Sequence, residues 1–217
     1  MAPMNRRIRA IYFQRDQNSG LYRYLCQLRR HLFADQLGWS LDINNGLEED
    51  QFDHQWAEYC ALFEGEHIRG CFRAIPCDRP YLVKDAFANL APLDRFPVDD
   101  TAWEISRFGV DKSFPYLGRH LYCAMFEFAW LRNASALPAL VDIQHERLLQ
   151  RMGIETQRYG EPSHIGIDAY GRPIVAVVGE IPLMPQLDHL RHIFAPTLRH
   201  MEIIDETSVF GSHRIPA

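Results

Sequence analysis

A short polar motif interrupts an otherwise apolar, strand-like run near the middle of the chain. Residues 103–108 read Trp-Glu-Ile-Ser-Arg-Phe, so a carboxylate (Glu104), a hydroxyl (Ser106) and a guanidinium (Arg107) follow one another closely. Such groups are costly to bury unless they face one another or a ligand. The motif therefore predicts either a binding or catalytic site or a structural ion pair between Glu104 and Arg107.

Other charged residues that could belong to the same site lie upstream. Asp50 and Asp53 are close together in a polar stretch, and Arg73 ends the short run Gly-Cys-Phe-Arg. Carboxylates bind cations, and guanidinium groups bind carboxylates through paired hydrogen bonds. These residues could therefore face the motif at residues 103–108 and balance the charges of Glu104 and Arg107.

The spacing of Glu104 and Arg107 raises a geometric question. In a regular strand, residues three apart point to opposite faces of the sheet. Either a β-bulge turns one of the two side chains, or Arg107 supports the aspartates from the other face. The sequence leaves both arrangements open.

Hydrophobic periodicity predicts the elements that position these residues. The first half of the chain should contain a helix capped by Asn18 or Ser19 and closed by Gly38, a long polar loop at residues 41–53, a hairpin of two strands at residues 58–63 and 68–75, and a strand at residues 103–110. The second half should contain a buried helix at residues 118–134, a strand at 139–143, a short helix at 144–152, a strand at 174–181 and a last helix. Residues after about 196 are expected to be loosely attached.

Composition bounds the class of protein. The 217 residues, of which 47% are hydrophobic, are enough for one domain that spans residues 1–217. The net charge of −5 and the lack of a basic run argue against nucleic acid as a partner. No apolar run is long enough to cross a membrane, and residues 1–9 lack the apolar core of a signal peptide, so we expect a cytoplasmic protein. Five cysteines without metal-binding spacing predict reduced, packed thiols.

Taken together, these residues resemble the signature of the acyl-homoserine-lactone synthases, the bacterial enzymes that make quorum-sensing autoinducers. The resemblance runs from about residue 23 to residue 179 and is densest in its first half. The matching residues are Arg29, Phe33, Leu37-Gly38-Trp39, Asp50, Asp53, Arg73, Pro80-Tyr81-Leu82, Asp85, Phe87, Glu104, Ser106, Arg107 and Phe108. Any one motif would be a weak sign, but this many matches in order and spacing are not expected by chance.

The resemblance implies a particular α/β fold. It is the N-acetyltransferase-like three-layer sandwich, whose mixed central sheet opens into a V-shaped cleft between two splayed strands. An acyl thioester lies in that cleft in proteins of this kind. Periodicity alone supports only a mixed α/β class.

The resemblance also implies the substrates. S-adenosylmethionine would supply the homoserine part, and an acylated acyl carrier protein or acyl-coenzyme A would supply the acyl group, without a cofactor or a metal. Asp50 and Asp53 would hold the cationic groups of S-adenosylmethionine. Its carboxylate would bind to Arg29, Arg73 or Arg107.

Roles in the reaction follow from the same resemblance. Phe33 and Trp39 would lie against the sulfonium or the adenine. Glu104, directly or through a water, would take the proton from the attacking amine, and Ser106 with backbone N–H groups would stabilise the oxyanion. The predicted catalytic residues are Glu104, Arg107, Asp50 and Arg73.

The acyl pocket is expected between the helix that begins at Gly118 and the strand that begins at Ala139. Its predicted apolar walls are Phe108, Met125, Phe126, Trp130, Ala139, Leu140 and Val141. Family members that prefer 3-oxo chains often have a threonine at the place aligned with Ala139, so the resemblance implies an unsubstituted acyl chain here. Arg119 and its neighbours Lys112 and His120 could contact the pantetheine phosphate or could be solvated surface.

Two other functions fit parts of this pattern. An amine N-acyltransferase of the same fold would need neither the paired aspartates nor Trp39. A non-catalytic ligand-binding or partner-binding domain would have little use for Glu104 and Arg107, since unused buried charges are costly. His189 and His192 lie three apart on the last predicted helix, but a third metal ligand is not evident beside them.

Overall fold

Short apolar runs separated by turn residues fold into two larger β-sheets, beside one small two-stranded sheet, in the computed structural model, which describes residues 7–207 and the backbone of residues 213–215. The strands are β1 (Ile8–Gln14), β2 (Ile43–Asn44), β3 (Leu47–Glu48), β4 (Glu58–Glu64), β5 (His67–Pro76), β6 (Trp103–Val110), β7 (Ala136–Asp142), β8 (Gln157–Arg158), β9 (Ser163–Ile167), β10 (Pro173–Pro182), β11 (Met201–Asp205) and β12 (His213–Ile215). The helices are α1 (Ser19–Arg29), α2 (Leu82–Ala86), α3 (Gly118–Leu131), α4 (Ile143–Arg151) and α5 (Leu187–Leu198). A π-helix over Arg30–Gln36 continues α1, and 3-10 helices cover Ala88–Leu90, Leu93–Arg95, Pro115–Leu117 and Met184–Gln186.

The two sheets meet at one end and separate at the other. The larger sheet has the order β12-β11-β1-β4-β5-β6, and the smaller has the order β7-β10-β8 with β9 also paired to β10. A parallel bridge between Ala102 and Ala136 joins β6 to β7, and next to it Ser135 N donates to Thr101 O at 2.8 Å. Beyond this bridge the described residues of β6 and β7 form no ladder. The central sheet therefore opens into the expected cleft.

Helices cover both faces of the larger sheet. On one face, Leu121 and Phe128 of α3 pack with Phe72 and with Trp103 and Ile105 of β6. On the other face, residues of α1 and the π-helix pack on the sheet, among them Leu25 and Phe33. Because successive strand residues point to opposite faces, Glu104 and Ser106 lie on the α1 side. The mixed sheet between two helical layers confirms the predicted N-acetyltransferase-like sandwich.

Most elements with a strong local pattern form where the sequence predicts them. Asn18 caps α1 by accepting a hydrogen bond from Leu21 N at 3.1 Å, and Gly38 follows the helical segment with a φ of +72°. The hairpin β4–β5 and the strand β6 match their predicted ranges closely. The strands β1, β8 and β9 have no counterpart among the predictions.

The prediction of a loosely attached tail after about residue 196 is wrong for the part of the tail that the structure describes. Pro196 lies inside α5, and Met201–Asp205 forms a strand parallel to β1 in the larger sheet. Met201 and Ile203 are buried because residues two apart in a strand share a face. Residues 208–212 and 216–217 lie outside the described residues.

None of the helices in the described part of the chain combines the length and apolarity needed to cross a membrane. All five cysteines are buried free thiols, as their spacing predicts. In residues 7–207, no cluster of three or more His, Cys, Asp or Glu side chains could hold a metal ion.

Candidate active site

A β-bulge in β6 answers the question of where Glu104 and Arg107 point. Arg73 pairs with Ser106, whereas Cys71 pairs with Gly109, so β6 has one residue more than β5 over this span. Arg107 has a φ of +51°, in the left-handed region that non-glycine residues seldom adopt. The bulge turns Arg107 to the α1 side of the sheet, where its guanidinium meets the carboxylates of the 41–53 loop. The first of the two predicted arrangements is therefore present.

Six charged side chains form a closed ring of alternating sign, which we call the charged ring. Its members in order are Arg29, Asp53, Arg73, Asp50, Arg107 and Glu48. Three guanidinium groups face three carboxylates, so the formal charges cancel within the ring. This balance makes the burial of six charges tolerable, because each has partners on both sides.

Arg29 closes one side of the charged ring and is fully buried. Its two terminal nitrogens donate to both oxygens of Asp53 at 2.7 and 2.9 Å, and its Nε donates to Glu48 at 2.5 Å. With all three of its nitrogens bonded, Arg29 orients Asp53 and Glu48. Its expected contact with the substrate carboxylate stays a prediction.

Asp53 is likewise occupied by protein groups. It accepts hydrogen bonds from Arg29, from Arg73, from Tyr59 Oη at 3.1 Å and from Asp50 N at 2.8 Å. Burial by itself would raise the pKa of Asp53, but the guanidinium of Arg29, followed by that of Arg73, holds it well below its usual range. The carboxylate of Asp53 thus fixes the positions of its neighbours, and its expected contact with a cationic group of the substrate stays a prediction.

The opposite side of the charged ring is more accessible. Arg107 donates to Glu48 at 2.8 Å and to Asp50 at 2.7 Å, and Arg73 donates to Asp50 at 2.5 Å and to Ser106 Oγ at 3.0 Å. Among the described residues, Arg73 Nη2 has no hydrogen-bond partner although it is buried. A buried donor without a partner is unusual and marks a place for a water or a ligand.

Glu104 lies beside the charged ring and not in it. Its carboxylate is fully buried and accepts hydrogen bonds from Leu82 N at 3.0 Å and Val83 N at 3.2 Å, at the first turn of α2. Burial raises the pKa of Glu104 to about 7, although Arg73 and the two N–H groups act in the other direction. A carboxyl group that titrates near neutral pH is suited to accept a proton.

A cavity of about 700 Å³ begins beside the charged ring and follows the cleft between β6 and β7. Its lining includes the predicted residues Phe33, Trp39, Ser106, Arg107, Phe108, Met125, Ala139 and Val141. The other predicted charged residues do not line the cavity but lie behind its lining; they are Arg29, Asp50, Asp53, Arg73 and Glu104. The cavity thus has an aromatic and cationic end at the charged ring and an apolar region near α3 and β7.

Phe33 and Trp39 form the aromatic wall. Their rings stack with centroids 5.3 Å apart and planes at 21°, and Trp39 N donates to Phe33 O at 2.9 Å. Phe33 is buried, whereas Trp39 is 37% exposed. The pair combines a fixed ring with one that is free to respond to a ligand.

Sequence reasoning missed three residues that shape this site. Glu48 is 1% exposed and contacts both Arg29 and Arg107. The predicted site already set the carboxylates of Asp50, Asp53 and Glu104 against three arginines, so no charge imbalance in the sequence pointed to Glu48. Tyr122 and His145, which line the cavity, resemble ordinary helix residues in the sequence.

Some residues considered for the acyl chain or for the pantetheine phosphate lie away from the cavity. Phe126 and Trp130 stack on each other at 6.4 Å, and Phe126 packs on Phe194 of α5. Arg119 donates to Thr197 Oγ1 at 3.0 Å, so it ties α3 to α5. Neither group lines the cavity.

Comparison with known proteins assigns the chain to a family. A family model described as autoinducer synthase matches residues 13–171, which is most of the chain. The chain belongs to the autoinducer synthase family. All six residues of the charged ring of this autoinducer synthase lie within the segment that the family model matches.

Curated relatives agree with this assignment. An acyl-homoserine-lactone synthase of Ralstonia solanacearum is 33% identical over 168 residues, which cover 72% of this chain and 80% of that protein. One of Pseudomonas aeruginosa is 31% identical over 157 residues, covering 70% and 76%. Since these relatives are acyltransferases, this autoinducer synthase is an acyltransferase of the acyl-homoserine-lactone synthase type.

Solved structures share the fold. TofI, solved in a ternary complex with an inhibitor and MTA, is 31% identical with a TM-score of 0.65, covering 78% of this chain and 89% of that chain. BjaI, a CoA-dependent acyl-homoserine lactone synthase solved with SAM and isopentyl-CoA, has a TM-score of 0.75 and 22% identity, covering 94% of both chains. A putative N-acetyltransferase from Lactobacillus plantarum has a TM-score of 0.50 at 17% identity, covering 81% and 99%.

Proposed function

We propose that this autoinducer synthase joins the methionine part of S-adenosylmethionine to an acyl group from acyl-coenzyme A or acylated acyl carrier protein, closes the lactone and releases methylthioadenosine. The observation that supports this most is the charged ring at the aromatic end of a long, partly apolar cavity. S-adenosylmethionine carries both signs of charge and a ring system, whereas an acyl chain is apolar. One end of the cavity suits each substrate.

The charged ring would bind the amino-acid part of S-adenosylmethionine by exchanging partners. Arg107 lines the cavity, and Asp50 is its most exposed carboxylate partner, so these two are the members that a substrate reaches first. A substrate carboxylate could use Arg107 or the unpaired Nη2 of Arg73, and the substrate ammonium could use Asp50. The stacked rings of Phe33 and Trp39 would face the sulfonium or the adenine.

In the first step the amine attacks the thioester carbonyl, the new C–N bond forms and the thiol leaves. The ammonium must first lose a proton, and Glu104, which lies beside the charged ring, has a pKa suited to accept it through a water or the substrate. The outer edge of β6 faces the cleft without a ladder partner beyond Ala102, so its N–H groups could bind the oxyanion. In the second step the carboxylate displaces methylthioadenosine, a reaction between groups already on one molecule.

One assay tests this proposal against the two other candidate functions. The purified protein is incubated with S-adenosylmethionine and octanoyl thioesters of coenzyme A and of acyl carrier protein, and the products are identified by mass spectrometry. We expect an acyl-homoserine lactone and methylthioadenosine in equal amounts. An acylated amine without methylthioadenosine would indicate a plain N-acyltransferase, and turnover of neither substrate would indicate a binding domain.

Trp39 offers a second, independent test of the S-adenosylmethionine site. Saturating S-adenosylmethionine should change the fluorescence of Trp39 and protect residues 40–53 from protease, because the ligand would contact Trp39 and order the loop that bears Glu48 and Asp50. Trp39→Phe should abolish the fluorescence change. Trp56 is equally exposed but does not line the cavity, so Trp56→Phe should keep it. An unchanged signal in the wild-type protein would make Phe33 and Trp39 packing residues only.

A further inference from the structure

Two polar side chains meet inside the part of the cavity that the acyl chain would occupy. Tyr122 of α3 and His145 of α4 are hydrogen-bonded to each other through the phenol oxygen and Nε2, and both line the cavity. The Tyr122 side chain is almost fully buried. Neither residue contacts the charged ring, so the chemistry assigned to the ring does not use this pair.

One side of the pair is apolar. Met125 lies one turn after Tyr122 on α3, and Leu149 lies one turn after His145 on α4, and both line the same cavity. The ring of Phe108 packs against both polar residues, with centroids 4.7 Å from Tyr122 and 5.8 Å from His145. The pair is therefore a hydrogen-bonding spot with apolar neighbours on one side and, on the other, the Asp142 carboxylate, which accepts from His145 N at 2.7 Å.

The position of the pair along the cavity points to the first carbons of the acyl chain. Phe108 directly follows Arg107 on β6, the strand whose free edge would bind the thioester carbonyl. Tyr122 and His145 lie one aromatic ring away from that strand. Carbon 3 of an acyl chain is only two bonds from the carbonyl carbon, so a substituent on carbon 3 is within reach of the same region.

We propose that Tyr122 and His145 bind an oxygen atom on carbon 3 of the acyl donor, as found in 3-hydroxy and 3-oxo chains. This inference rests on the proposed function. A polar group in an apolar pocket favours a substrate that can pair with it and disfavours one that cannot. The expectation of an unsubstituted chain is based on the hydroxyl missing at Ala139 and on the apolar residues predicted around it, such as Leu140 and Val141. The hydroxyl that Ala139 lacks is present on another wall of the cavity.

The pair can act as a donor or as an acceptor. Burial lowers the pKa of His145, so its ring is neutral near pH 7 and has one N–H. If Tyr122 donates to His145, the phenol oxygen is left to accept from a 3-hydroxyl. If His145 Nε2 donates instead, the phenol O–H is free to donate to a 3-oxo group.

The test compares octanoyl-, 3-hydroxyoctanoyl- and 3-oxooctanoyl-coenzyme A, and the same three acyl carrier protein thioesters, by kcat/KM for lactone formation. The wild-type enzyme should prefer one of the oxygenated donors about tenfold over the unsubstituted donor. Tyr122→Phe should remove that preference, so that kcat/KM for the preferred oxygenated donor falls about tenfold more than kcat/KM for the octanoyl donor. Tyr12→Phe is the matched control, since Tyr12 donates to Ala124 O of the same helix but does not line the cavity.

The outcomes separate this inference from the proposed function. Equal use of the three donors by the wild-type enzyme, or a ratio that Tyr122→Phe leaves unchanged while the variant keeps its thermal stability, would overturn the role of the pair and leave the synthase activity standing. A preference lost equally in Tyr12→Phe would assign it to general packing of α3. Absence of lactone from every donor would overturn the proposed function, and the inference with it.

Discussion

Replacing Glu104 by glutamine or Arg107 by alanine is expected to lower the rate of lactone formation about a hundredfold or more, while the protein remains folded. Glutamine keeps the volume of Glu104 and can still accept a hydrogen bond from Leu82 N, but it cannot take a proton from the substrate ammonium. Alanine at position 107 removes the member of the charged ring that lines the cavity. Single-turnover rates, measured at saturating substrates, separate this loss from weaker binding.

The pH dependence gives the Glu104 prediction a sharper form. Because burial raises the pKa of Glu104 to about 7, kcat/KM should rise with pH up to about 7 and then level off, and Glu104→Gln should abolish that rise. A raised pKa also means that the folded state favours the protonated carboxyl. Compared with a glutamate of unshifted pKa, Glu104 should contribute about 3 kcal/mol to the free energy of unfolding below pH 4.5, the usual pKa of a glutamate. This contribution should be lost as the pH rises from there through about 7.

Glu58 is the matched control for the loss of a buried carboxylate. It pairs with Arg132 at 2.6 Å on the face of the larger sheet opposite to the charged ring, and burial raises its pKa too. Glu58→Gln should reduce stability but leave the turnover of the folded protein unchanged. Near-normal turnover in Glu104→Gln or in Arg107→Ala would remove that residue from the reaction, whatever the control shows.

The sequence was sufficient to predict elements whose pattern is local. The strands β4 and β5 are mostly apolar runs on either side of the turn Glu64-Gly65-Glu66, β6 begins with an apolar and polar alternation, and α3 is apolar on nearly every face. By contrast, β11 pairs with β1 across almost the whole chain, so nothing near Met201 indicates its partner. Long-range parallel pairing depends on tertiary context, which a short window of sequence does not contain.

The site shows the same division between local and long-range information. The order and spacing of its charged residues indicated which side chains gather, but not how they pair. The bulge at Arg107 is a backbone distortion that persists because Glu48 and Asp50 hold the guanidinium, and both come from a loop about sixty residues earlier. The sequence grouped Glu104 with the other charged residues. Its carboxylate instead accepts hydrogen bonds from the first turn of α2, a short helix that periodicity did not predict.

Removing the Glu48 carboxylate should be the most damaging single change to stability. Glu48→Ala would leave Arg29 with one carboxylate partner in place of two and would open the charged ring on a side that is almost fully buried. Breaking a buried ion pair by deleting one partner typically costs about 3 to 5 kcal/mol, because an uncompensated charge stays behind. Urea unfolding followed by circular dichroism, with the midpoint and slope fitted together, measures this loss.

The neighbouring glutamate provides the control for this prediction. Glu49 accepts a hydrogen bond from Tyr22 at 2.9 Å and lies 3.6 Å from Arg15 in a more exposed position, so Glu49→Ala should cost about 1 kcal/mol or less. The double variant Glu48→Ala/Arg107→Ala should lose less stability than the sum of the two single variants, since removing Arg107 also removes one of the cations that Glu48 neutralises. Additive losses, or a Glu48→Ala variant as stable as Glu49→Ala, would show that the six charges act as separate surface pairs and not as one buried ring.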